Sequence, residues 1–102
     1  MRIHIADTAP LLAPELRGWL TARLQALNTP AVEIWEVRVT YRVQQPPQPP
    51  YAQMQVECLL AGQTLCVGQA GATLPDAAQA VLHTLAQRLR AVRTAKRRAN
   101  PK

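Results

Sequence analysis

Phenylalanine is absent from this sequence, and only two tryptophans and two tyrosines supply aromatic bulk. A core must therefore come mainly from leucine, isoleucine, valine, alanine and methionine. Nowhere does an apolar run reach the ~18 residues that a membrane-crossing helix requires, so no membrane partner is expected. The start, Met1-Arg2-Ile3-His4-Ile5, passes directly into alternation without the apolar stretch of a secretory leader, which points to the cytoplasm. Cysteine and histidine are scarce. Cys58 and Cys66 form no CxxC unit, and the only histidines are His4 and His83, so the closely spaced ligand set of a metal site is missing. In a reducing compartment both thiols read as small apolar side chains, with no disulfide-linked partner.

Catalytic signatures are missing as well. His83 has no acid one helical turn away on either side, and His4 alternates with isoleucines on a short strand. There is no GxGxxG and no phosphate-binding P-loop. A nucleophile, base and orienting group cannot be assembled from these patterns. The expectation is a protein with no catalytic residues, cofactor or small-molecule substrate. Acidic residues are missing from one segment in particular. Residues 88–102 hold seven basic residues and no acid, whereas residues 1–87 hold five basic and six acidic ones. A concentrated basic block attracts a polyanion by neutralising phosphates and releasing counterions.

What is present is a globular body. With 102 residues and a hydrophobic fraction of 48%, the chain suits one domain, residues 1–102, with a two-layer core. Residues 2–6 alternate as a short strand, with Ile3 and Ile5 on one face. Pro14 suits the first turn of a helix over 14–28, in which Leu16, Leu20, Leu24 and Leu27 recur at helical spacing before Asn28-Thr29-Pro30 ends it. A strand over 34–44 places Trp35, Val37, Val39, Tyr41 and Val43 inward and Glu36, Arg38, Thr40 and Arg42 outward. The tract Gln44-Gln45-Pro46-Pro47-Gln48-Pro49-Pro50 breaks it as an extended hairpin loop. A third strand over 51–60 buries Ala52, Met54, Val56, Cys58 and Leu60. A fourth over 64–70 buries Leu65 and Val67.

Gly62-Gln63 fits a two-residue type II′ turn, which pairs Leu60 with Leu65 and Cys58 with Val67. That register sends Cys58 and Cys66 to opposite faces. Thr73-Leu74-Pro75-Asp76 opens the last helix as a capping box. Its core stripe is Ala78, Val81, Leu82, Leu85, Leu89 and Val92. At about 100° per residue, Arg90, Arg93 and Arg97 cluster beside that stripe, with His83 along the same ridge. Trp19, Trp35 and Tyr41 could stack on bases, yet each falls on or beside a core-facing position. The order strand–helix–three strands–helix predicts an α+β fold: a two-layer βαβββα domain, its four-stranded mixed sheet carrying both helices on one face. The first crossover makes its two strands parallel.

Three segments in this order resemble the ribosome hibernation promoting factors and ribosome-associated translation inhibitors. Leu16-Arg17-Gly18-Trp19-Leu20-Thr21-Ala22-Arg23-Leu24 looks like the first-helix pattern of that family. Gly62-Gln63-Thr64-Leu65-Cys66-Val67-Gly68-Gln69-Ala70-Gly71 resembles its Gly-rich third hairpin, and Ala77 through Arg98 is similar to its last helix. Where the family usually has Asp-x-Tyr-Ala-Ala-Ile-Asp, this chain reads Thr73-Leu74-Pro75-Asp76-Ala77-Ala78-Gln79. The resemblance implies a short-form factor that binds the small ribosomal subunit and its rRNA and silences idle ribosomes under stress. It also implies that Arg17, Arg23, Arg88, Arg90, Arg93, Lys96 and Arg97 face RNA. A second reading keeps the fold but makes the chain a protein-interaction regulator, docking through the proline tract or the sheet's wet face.

Overall fold

The computed structural model describes residues 1–6, 12–28, 32–44, 49 and 51–99, with side chains through residue 95. The order is β1 (Arg2–Ile5), α1 (Pro14–Ala26), β2 (Ile34–Val43), β3 (Ala52–Leu60), β4 (Gln63–Gly71) and α2 (Leu74–Ala99). The strands lie in the sheet in the order β1-β2-β3-β4. β1 is parallel to β2, and the other two pairings are antiparallel. This is the mixed sheet that the sequence pattern predicts.

Period-two burial decides which face the helices cover. Val37 and Val39 of β2, every second residue of β3 from Ala52 to Leu60, and Val67 of β4 all point inward. Leu20 and Leu24 of α1 meet them, as do Ala77, Ala78, Val81, Leu85 and Leu89 of α2. Both helices therefore share one face of the sheet. α1 begins with Pro14 in its first turn and has no side-chain cap, since Ala13 occupies the cap position. The Thr73 half of the predicted capping box forms at the start of α2: the Asp76 N–H donates to Thr73 Oγ1 at 3.3 Å. Gly71 is required where β4 runs into α2, because a Cβ there would stand 2.8 Å from Asp76 Cβ.

Trp35 overturns one expectation. Strict alternation would bury it beside Val37, yet it is 56% exposed while Ile34 is 1% exposed. A β-bulge is the reason: Ile34 pairs with Leu60 and Glu36 with the adjacent Leu59, leaving Trp35 as the extra residue. The Ile34 N–H donates to Asn28 Oδ1 at 2.9 Å. That bond ties the first residue of β2 to the end of α1 and favours Ile34 over Trp35 as the inward residue.

The β3–β4 turn differs as well. Its two loop residues are Ala61 and Gly62, and Leu60 pairs with Gln63, Cys58 with Leu65 and Val56 with Val67. The positive φ of 80° falls on Gly62, the second loop residue, whereas a type II′ turn would need it on the first. The slip from the expected register is two residues, which conserves side-chain parity. Cys58 is accordingly buried and Cys66 exposed, both as free thiols. Burial, with a smaller contribution from Cys66, pushes the Cys58 thiol up to about 11. Of the proline tract, residues 45–48 and 50 lie outside the described residues. The Gln44 N–H donates to the Tyr51 carbonyl at 2.8 Å, one step beyond the Val43–Ala52 pair.

Candidate nucleic-acid interface

α1 and α2 pack side by side on the sheet and leave a groove on their solvent side. α1 contributes Trp19, Arg23, Ala26 and Leu27 to its first section, and α2 contributes Gln79, Leu82, His83 and Ala86. The volume of that section is about 290 Å³. A second section of about 300 Å³ reuses Ala26, Leu27 and Ala86 and adds Val32, Leu89, Arg90 and Arg93. The shared residues make the two sections one trough. Its floor is apolar, and each ionisable side chain lining it is basic or a histidine.

Helical periodicity explains this placement. Leu20 and Leu24 point at the sheet, so Trp19, Arg23 and Ala26 turn sideways toward α2. On α2 the buried stripe Val81, Leu85, Leu89 leaves Leu82, His83, Ala86, Arg90 and Arg93 on the flank toward α1. The Arg23 guanidinium lies over the Trp19 ring, 5.7 Å from its centroid, a cation–π distance that holds the charge at the rim. His83 Nε2 and Gln87 Nε2 lie 3.3 Å apart on the exposed side of α2.

Of the seven residues that the sequence points to, the fold brings Arg23, Arg90 and Arg93 to this groove. Arg17, half-buried on α1, and Arg88, exposed on α2, do not line it. Lys96 and Arg97 lie on the last turns of α2, and their side chains fall outside the described residues. At 1.5 Å per residue the 26 residues of α2 extend about 39 Å, against about 30 Å for the nine residues of β4. The buried stripe ends near Val92, so the basic end of α2 runs past the core.

The sheet's outer face contrasts with this. Arg38 sits 3.1 Å from Glu36 Oε2 and 3.6 Å from Glu57 Oε1. Among the described residues no group of three or more His, Cys, Asp or Glu could hold a metal ion, and no helix is long and apolar enough to cross a membrane.

Fold and groove together define the class: a two-layer βαβββα protein with a cation-rimmed furrow between its helices. No family model matches the chain, and no curated protein matches it in sequence. Solved structures do match. A ribosomal subunit interface protein from Coxiella burnetii superposes with a TM-score of 0.76 at 16% identity, covering 98% of this chain and 100% of that one. The N-terminal domain of Protein Y from Thermus thermophilus gives 0.66 at 14% identity, covering 86% of this chain and 91% of that one. At 14–16% identity these likenesses are of fold, and at that level they agree with the βαβββα architecture read in the sequence.

Proposed function

We propose that this protein binds the small ribosomal subunit, sets its basic helical face against ribosomal RNA, and inhibits translation as a hibernation factor. The observation that carries the reading is the interhelical groove, whose rim joins Arg23 of α1 to Arg90 and Arg93 of α2 without an intervening acid. Lys96 and Arg97 follow on the last turns of α2, and Arg17 and Arg88 add further basic residues to the two helices. The fold shared with a ribosomal subunit interface protein supports the choice of the ribosome as the polyanion. Such a factor acts by occupying a site, so it needs no catalytic group or cofactor, and it works in the cytoplasm where ribosomes are.

The test is sedimentation of cell lysate through a sucrose cushion. Wild type should pellet with ribosomes at low salt, and the triple variant Arg90→Gln, Arg93→Gln, Arg97→Gln should stay in the supernatant. Purified wild type should also lower the yield of a cell-free translation reaction. A second reading rests on Trp35, which the bulge leaves exposed on the sheet's outer face. If wild type stays in the soluble pool, docking to a protein through that face becomes the better account.

A further inference from the structure

We infer that the trough between α1 and α2 is a receptor for an unpaired nucleobase, whose flanking phosphates meet the arginines at its rim. This deepens the RNA-binding reading and rests on it. A surface that neutralises only phosphates needs cations and little else. This trough has more. Below the rim, Leu27, Leu82 and the facing alanines Ala26 and Ala86 line an apolar floor, and its first section alone has about 290 Å³, near the ~300 Å³ at which small-molecule pockets begin. Phosphate has no use for such a floor. A base splayed out of its own stack does, because it leaves water for apolar walls.

The stacking partner is already in place. The Arg23 guanidinium lies over the Trp19 ring at a cation–π distance of 5.7 Å, and bases stack on aromatic and guanidinium planes of this kind. Gln79 and His83 stand at the same end of the trough and bring hydrogen-bonding groups toward a base edge. Arg90 and Arg93 stand at the other end, where the backbone of a strand lying along the trough would pass. The two alanines are what keep the trough open, since they line both of its sections.

A duplex keeps its bases stacked inside and would touch only the rim, so the trough selects loops, bulges and single strands. An acidic amphipathic helix is the competing occupant by charge. Such a helix buries an apolar strip over several turns, and the first section offers it one tryptophan, two leucines and two alanines.

The experiment compares two fluorescently labelled strands of equal length and charge: a short oligoadenylate, and the same ribose-phosphate chain without bases. The oligoadenylate should bind about tenfold more tightly, the worth of one stacked base. In the Trp35→Phe variant Trp19 is the only tryptophan, and its emission should be quenched by the oligoadenylate but not by the abasic strand. Ala86→Leu keeps a strong helix former in α2 and fills the junction of the two sections. It should abolish the tenfold preference while leaving abasic binding and the circular dichroism spectrum unchanged. Equal binding of the two strands to wild type overturns the base receptor and leaves phosphate-only RNA binding standing. Failure of both strands to bind overturns the RNA-binding reading and the receptor together. An acidic amphipathic peptide that quenches Trp19 and displaces the oligoadenylate at equal concentration also overturns the receptor, and makes the trough a peptide groove.

Discussion

Cations stand on both faces of this protein, but they have different company. On the sheet's outer face Arg38 lies between Glu36 and Glu57. Register produces that arrangement: β2 pairs Arg38 directly with Glu57 of β3, and Glu36 is two residues along the same strand. Exposed pairs of this kind add little stability, about 0–1 kcal/mol each, yet they cancel the field that a distant polyanion would feel. On the helical face Arg23, Arg90 and Arg93 face a groove with no acid in its lining. The acids of the two helices, Glu15 and Asp76, sit in their first turns. The number of cations says less about a binding face than whether an acid falls in register with them.

The sharpest way to break this contrast is to neutralise each face in turn. If about five groups of the helical face meet phosphates, the log–log salt dependence of RNA binding should have a slope of about −3.5 to −4.5. Changing Arg90, Arg93 and Arg97 to glutamine should flatten it by about 2–3 units, whereas changing Arg2, Arg38 and Arg42 together should leave it nearly unchanged. Equal flattening by the two triplets would erase the distinction between the faces.

A smaller effect tests the phase of α2, which presents the groove only because its other side is buried. Leu85, fully buried in the core, should cost about 2–5 kcal/mol in denaturant unfolding when cut to alanine. Gln87, exposed two residues on, should tolerate alanine within about 0.5 kcal/mol.

Smaller still is the contrast between the sheet's two sides at the cysteines. Cys58→Ser should destabilise by about 1–3 kcal/mol, because it buries a hydroxyl without an evident partner, and Cys66→Ser should be close to neutral. The Cys58 thiol also sets a pH dependence. Its folded pKa is raised from 9.0 to about 11, so the folded protein keeps the proton where the unfolded chain releases it. The contribution is complete below about pH 9 and is lost as pH rises toward about 11. The stability difference between wild type and Cys58→Ala should shrink over that window, and a constant difference would contradict the buried placement.

Much of this arrangement is legible in the sequence, because period and parity are local properties. The helical stripe of α2 and the two-residue alternation of β3 give the layers, and the same 100° step places Arg90, Arg93 and His83 on one ridge. What is not legible depends on distant partners. Alternation assigns Trp35 to the core, and only the Asn28 side chain, six residues away, identifies Ile34 as the residue that takes that place. Both hairpin registers bring apolar faces together, so the turn's backbone, with Gly62 at positive φ, decides between them. Trp19 and Arg23 could be put beside the core but not opposite Ala86 and His83, since the period of one helix does not say where a second one lies. Arg17 and Arg88 share the basic character of the set without sharing the groove.

The strand order β1-β2-β3-β4 has a consequence for how the chain assembles. β2, β3 and β4 pair with their sequence neighbours through hairpins, and α2 follows at once, so this part closes small loops at low entropic cost. β1 must wait for the whole α1 crossover, and it then gains only four residues of parallel pairing along one neighbour. It should therefore dock last and open first, as a unit separable from the hairpins. Native-state hydrogen exchange reads this directly. The ladder amides of β1 should exchange through a local opening that costs less than global unfolding, while Val56 and Cys58 exchange only when the whole domain unfolds. Equal protection in the two places would mean that the parallel edge closes together with the hairpins rather than after them.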